Sequence, residues 1–196
     1  MEAQRLARVS SESIAPLLYS VGHGGRSAEE FSELLGASAI ECVVDVRAYP
    51  ASRRHPQFSQ QALIAFLEKA GIGYRWMGEA LGGFRQGSTN SIHTALTTDG
   101  LRAYADHMNS GVFQEGITEL LDCASLRPTA MLCAERVPHH CHRAMISDYL
   151  TANGIAVIHI VAGDQRIPHH FSHLARWTQG RIIYDQEGQT QLGWEF

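Results

Sequence analysis

The stretch CAERVPHHCHR, residues 133 to 143, gathers two cysteines, three histidines, a glutamate and two arginines into eleven positions. Pro138 interrupts the chain just before a helical pattern, which puts Cys141, His142 and Arg143 at a helix cap and first turn. Free N–H groups and the helix dipole favour anions there. The same field, helped by a neighbouring histidinium or arginine, lowers a thiol pKa, so Cys133 or Cys141 is expected to carry a nucleophilic thiolate near neutral pH. Arg143, with His142 beside it, is the expected anion clamp.

Other chemistry-bearing residues stand where strands should end. A first apolar run delivers His23, a second delivers Asp45 and Arg47, and the strand before the cysteine motif delivers Cys133 and Glu135. Asp45 and Arg47 share one face of an extended chain, as do Cys133 and Glu135. Each has a structural reading when taken singly: a packed cysteine, an ion pair, a histidine bonded to a turn. Convergence at one rim is what a site requires and packing does not. The stretch DVRAYPASRRHPQF adds Arg53, Arg54 and His55 in a loop leaving the same rim, and arginine forks suit phosphate or carboxylate. Tyr74, Trp76 and Phe84 either stack a base beside these cations or belong to the core.

Cys133, Cys141, His142 and His23 are acceptable soft metal ligands. Seven residues separate the two cysteines, however, and no second Cys/His pair stands at zinc spacing, so no cofactor or metal is expected.

The elements that must position these groups alternate. LLYSVGH reads as a strand, and SAEEFSELLG as a helix with Ser27 and Glu30 at capping-box spacing and Gly36 as its stop. IECVVDVR is an apolar run of the kind buried on both faces in a parallel sheet, followed by the amphipathic helix SQQALIAFLEKAG, closed by Gly71. IGYRWM predicts a third strand, and the glycine-rich GEALGGFRQGSTN a long loop that could close over a ligand. Helices follow at LRAYADHMNS and VFQEGITELLDCAS, a strand at TAMLCAE, a helix at CHRAMISDYLTANG and a strand at IAVIHIV. HHFSHLARW predicts a last helix and RIIYD a short strand. The expected fold is α/β, with a mostly parallel central sheet flanked by helices on both faces in Rossmann-like or rhodanese-like layering. Such sheets bind ligands beyond their carboxyl ends.

Composition bounds the rest. The 196 residues fit one domain, expected over 17–196, with the polar residues 1–16 as a loose leader. No apolar run is long enough to span a membrane, and no secretory pattern opens the chain, so a cytoplasmic protein with its four cysteines reduced is expected. A net charge of −4 offers no global attraction to a polyanion. Nucleic acid could be held only through a local arginine patch, whereas an anionic small molecule or nucleotide remains open as a partner.

YSVGHGGRSAEEF, VVDVRAYPASRRHPQF, GEALGG and MLCAERVPHHCHRAMISDYL together resemble the domain-of-unknown-function family numbered 488, from about Tyr19 to about Ile160. That family brings no established activity with it. ECVVDVRAYP and PTAMLCAER…CHRAMISDYLTANGIAVIHIVAG are also similar to the strands, anion loop and helix of rhodanese-like domains. That resemblance implies Cys133 as the catalytic cysteine and Arg143 as the residue closing the loop, with nine residues between them in a longer loop than the rhodanese one.

The expected function is a thiol-dependent transferase or hydrolase acting on a sulfur- or phosphate-containing small molecule or nucleotide. Cys133 is the nucleophile, Cys141 the resolving thiol, and Asp45, His23 or Glu135 handle protons. Arg47, Arg53, Arg54, His142 and Arg143 hold the substrate. The alternative is a non-catalytic nucleotide or nucleic-acid binding module with structural cysteines.

Overall fold

The computed structural model describes residues 17–87, 90–163 and 165–186. The expected leader, residues 1–16, lies outside the described residues. Six strands form the central sheet: β1 (Leu17–Gly22), β2 (Cys42–Asp45), β3 (Gly73–Trp76), β4 (Thr129–Cys133), β5 (Ala156–Ile160) and β6 (Arg166–Pro168). Their spatial order is β3-β2-β4-β1-β5-β6, and every pairing is parallel except β5 with β6.

Alternation along the strands divides the core. Leu18, Val44, Met131, Cys133 and Val157 face one layer, and Val21, Val43, Ala130, Leu132 and Ile160 face the other. The second layer is supplied by α1 (Ala28–Ala37) and α2 (Gln60–Lys69), through Phe31, Leu34, Leu35, Leu63 and Leu67. The first is supplied by α3 (Gly78–Leu81), α4 (Asp99–His107), α5 (Gly111–Leu126) and α6 (His142–Ala152), through Leu81, Tyr104, Phe113, Leu120, Ile146 and Leu150. Helices therefore cover both faces of the sheet. Connections through α1 and α2 run towards β3 on one face, and those through α5 and α6 run back towards β5 on the other. The reversal leaves β4 between β1 and β2, with the ends of all three side by side. A topological switch point of this kind opens a crevice beyond the carboxyl ends.

Local signals explain most boundaries. Ser27 Oγ accepts from the Glu30 N–H and Glu30 Oε2 accepts from the Ser27 N–H, which completes the capping box of α1. The helix passes Gly36, and the left-handed residue beyond it is Ala39 at φ 48°. Gly71, at φ 71°, closes α2 as its residue type demands.

Three segments differ from their sequence reading. GEALGG is not all loop: Gly78–Leu81 makes one helical turn that buries Leu81, too short to carry a periodicity. β6 was hidden by its three-residue length and terminal proline. HHFSHLARW forms no helix. Its end is β7 (Ala175–Thr178), paired antiparallel with β8 (Arg181–Tyr184) through Gln179 and Gly180, whose φ values of 48° and 76° fit a tight hairpin turn. Tyr184 and Ile182 bury against the α6 layer, and that packing outweighs the helical spacing. Among the described residues, no helix is long and apolar enough to cross a membrane.

Candidate functional site

Parallel pairing sets Gly22 beside Cys133, and Asp45 beside Leu132 on the other flank of β4. The chain leaving β4 then crosses over β1: the His23 N–H bonds the Cys133 carbonyl at 3.1 Å, and the Gly24 N–H bonds the Ala134 carbonyl at 2.8 Å. Only glycine fits at position 22, because a Cβ there would stand 1.8 Å from the Glu135 oxygen. Pro138 starts a short 3-10 turn, and Cys141 becomes the N-cap of α6 in extended conformation.

Cys141 does not cap with its side chain. Its Sγ lies 2.8 Å from Cys133 Sγ, and both thiols are buried and free of disulfide. His142 completes the group, with Nδ1 at 3.5 Å from Cys141 Sγ and 3.8 Å from Cys133 Sγ. Its Nε2 lies 2.9 Å from the Val46 carbonyl, which can only accept, so the proton sits on Nε2 and Nδ1 is left facing both sulfurs. The S–H of Cys141 points at Cys133, and this bond, with His142 and the charge of Arg143, holds the Cys133 thiol well below its usual range despite burial. Burial, and its position as the donor to Cys133, push Cys141 well above that range.

The cluster opens into a cavity of about 920 Å³ at the switch point, with His23, Arg47, Arg54, His55, Glu135 and Arg136 on its walls. His23 stacks on Phe58 with ring centroids 4.4 Å apart, and its Nδ1 donates to the Gly24 carbonyl at 2.8 Å. In the neutral ring Nε2 is therefore the acceptor nitrogen, and burial lowers the ring's pKa from its ordinary value, which favours that neutral form. Glu135 is exposed on the wall, and Arg54 reaches the cavity from an exposed loop position. Arg53 is equally exposed and is not among the lining residues.

Two expected groups occupy other surroundings. Asp45 is fully buried on the α1–α2 face of the sheet, opposite Cys133. Its carboxylate accepts from Arg47 Nε at 2.8 Å and Nη2 at 2.5 Å and from the Tyr74 hydroxyl at 2.9 Å. Burial and the Asp45 charge drive the Tyr74 pKa upward. Burial opposes the Arg47 charge, but the fork to Asp45 more than restores it. Arg47 still borders the cavity, while its Nη1 donates to the Phe58 carbonyl. Arg143, 1% exposed, donates from Nε to Ser20 Oγ at 2.9 Å, from Nη1 to the Glu135 carbonyl and from Nη2 to the Arg136 carbonyl at 3.0 Å. It braces the loop between Cys133 and Cys141 from beneath, and its positive charge acts on the thiols through the protein.

Several contacts at the site escaped sequence reasoning. Gly83 packs on the His142 ring so closely that a Cβ would lie 2.5 Å from Nδ1. Gly78 and Gly82 abut the Arg47 carbonyl and the Ala48 backbone in the same way. The glycine run was visible, but nothing in it named what it touches. Tyr49 and Arg136 also line the cavity, with no local signal beyond their closeness to the motifs.

Cys133, Cys141 and His142 are also the one group among the described residues whose ligand atoms lie close enough together for a metal, all within 4.8 Å. A Cys/Cys/His set with an open fourth position is also the ligand complement of some catalytic zinc sites, so these three residues are the ones that would hold a metal.

The fold and site thus define an α/β protein with a thiol–thiol–imidazole cluster at the carboxyl ends of parallel strands. The chain belongs to the family described as Domain of unknown function DUF488, whose model matches residues 27–150. That span takes in α1, β2, the glycine turn and the whole cysteine motif. No curated protein and no solved structure matches the chain.

Proposed function

We propose that the protein is a thiol-dependent transferase or hydrolase for an anionic small molecule containing sulfur or phosphorus. The observation that carries this reading is the Cys133–Cys141–His142 cluster on a cavity at the switch point, with the imidazole proton fixed on Nε2. His142 Nδ1 takes the Cys133 proton, and the thiolate forms a bond to sulfur or phosphorus. The leaving group departs with the electron pair of the broken bond and takes that proton from Nδ1. In the phosphoryl case, a water losing its proton to His23 Nε2 releases phosphate and regenerates the thiolate. In the sulfur case, an external thiol or other nucleophile accepts the sulfur, with Cys141 able to relay it. A reducing compartment such as the cytosol keeps both thiols available.

The test is turnover of thiosulfate-type donors and phosphomonoesters by the reduced protein, with Cys133→Ser alongside. Activity on either class that is lost in Cys133→Ser supports the reading. Absence of both, with ligand affinities unchanged by Cys133→Ser and weakened by salt, would favour a binding module with structural cysteines.

A further inference from the structure

Beyond the thiol chemistry, the cavity carries a second kind of information at its mouth. Tyr49 and Phe84 are 72% and 71% exposed, and both line the cavity. Their ring centroids are 5.8 Å apart at an interplanar angle of 61°, so two loops, one after β2 and one after α3, bring aromatic rings together in water. Exposed apolar rings gathered at a cavity mark a contact surface. Arg54 and Arg136 line the same cavity, and neither has an ion pair or a side-chain hydrogen bond among the described residues. Arg47 borders the same cavity but is paired with Asp45, and Glu135 is its lining carboxylate. Two uncommitted guanidiniums against one carboxylate give the cavity a local excess of positive charge on a chain whose net charge is −4.

We propose that this cavity binds a nucleoside monophosphate group, with its phosphate on Arg54 and Arg136 near the thiol cluster and its base against Tyr49 or Phe84. The proposal rests on the functional reading of the same site and names its substrate class. Guanidinium forks match phosphate oxygens. Aromatic rings stack any base, because every base has a π-face. A volume of about 920 Å³ accommodates a ligand of this size. The group could arrive as a free nucleotide or as the end of a nucleic-acid strand.

The experiment is calorimetric titration of the reduced full chain with each of the four ribonucleoside monophosphates, with inorganic phosphate, with the matching nucleosides and with a short oligonucleotide. At least one monophosphate binds tenfold or more tightly than phosphate or its nucleoside. Tyr49→Ala or Phe84→Ala weakens it about tenfold and leaves phosphate affinity unchanged, while Arg54→Ala weakens both. Both aromatic side chains are exposed, so these variants keep the fold, which circular dichroism verifies. An oligonucleotide binding tenfold better than its monophosphate assigns the site to a strand end, and equal or weaker binding assigns it to the free nucleotide. The proposal is overturned if no monophosphate outbinds phosphate, or if neither aromatic variant changes monophosphate affinity. Iodoacetamide labelling of Cys133 in the same samples separates the two readings. A reactive Cys133 without nucleotide binding removes the substrate class and leaves the thiol chemistry standing.

Discussion

Gly83 presses its backbone onto the His142 imidazole, leaving no room for a methyl group between them: a Cβ would meet Nδ1 at 2.5 Å. The ring cannot simply swing aside, because Nε2 is tied to the Val46 carbonyl at 2.9 Å. Gly83→Ala should displace the nitrogen that faces the two sulfurs. A rise of one pKa unit at Cys133 leaves about tenfold less thiolate below its pKa, so iodoacetamide labelling of Cys133 at mildly acidic pH should fall by roughly that factor. Gly100→Ala, on the same cavity but with open space around its Cβ, is the control and should change nothing. Equal rates in both variants would sever Gly83 from the thiol chemistry.

The two cysteines should titrate far apart. Cys141 donates to Cys133 and keeps its own proton, so labelling read by peptide mass spectrometry should begin at Cys133 below the free-thiol pKa of about 8.5, and at Cys141 only above it. Cys141→Ala removes the donor and should move the Cys133 profile to higher pH. A profile that stays in place would mean that His142 and Arg143 hold the thiolate without help.

The elements behind this site were largely legible in the sequence. Capping at Ser27 and Glu30, the uninterrupted apolar run of β2 and the proline before Cys141 are local signals, and local signals fix local structure. Facing and partnership were not legible. Asp45 and Cys133 both end strands at one rim, yet strand register turns them to opposite faces of the sheet. Arg143 has the residue type and position of an anion clamp, but Ser20, 123 residues earlier in the chain, and two nearby loop carbonyls take its donors. The Ser20 contact spans 123 residues, and the local carbonyls are reached only because the loop folds back over the guanidinium, so neither follows from a local window of sequence.

Metal content discriminates the thiol reading from a metal centre. The thiol reading needs both sulfurs free to react, whereas a Cys/Cys/His set is also the three-ligand complement of a catalytic zinc site. Protein purified without chelator or affinity tag should carry well below one equivalent of zinc, copper or iron by mass spectrometry. A full equivalent, lost together in Cys133→Ser and Cys141→Ser, would convert the cluster into a metal site.

Arg143 should matter for stability as much as for reactivity. Arg143→Gln removes a buried charge together with most of the bracing of Ser20, Glu135 and Arg136, leaving carbonyls underneath the loop without donors. Loss of a buried multidentate group of this kind costs on the order of 3 kcal/mol. Urea denaturation should show that loss, with the slope of the transition unchanged. A variant within about 0.5 kcal/mol of the parent would place the loop's support elsewhere.

A second polar group ties β5 and the hairpin to α6. His159 Nε2 lies 2.9 Å from His169 Nδ1, His169 Nε2 donates to Asp148 Oδ1 at 2.9 Å, and the Tyr184 hydroxyl donates to Asp148 Oδ2 at 2.8 Å. Burial, reinforced by the charges of His169, Arg143 and His139, pulls the His159 pKa down to about 3, against 6.5 for a free imidazole. Between those values the unfolded chain binds a proton at this position that the folded chain refuses. Stability therefore rises with pH across the window, and is lost as pH falls from 6.5 towards 3, with a slope of up to about 1.4 kcal/mol per pH unit from this one group. His159→Gln cannot take up the proton in either state. The unfolding free energy of the parent minus that of His159→Gln should thus fall as pH drops from about 6.5 to 4, whatever its sign at neutral pH. A pH-independent difference would mean that His159 is protonated equally in the folded and unfolded chains.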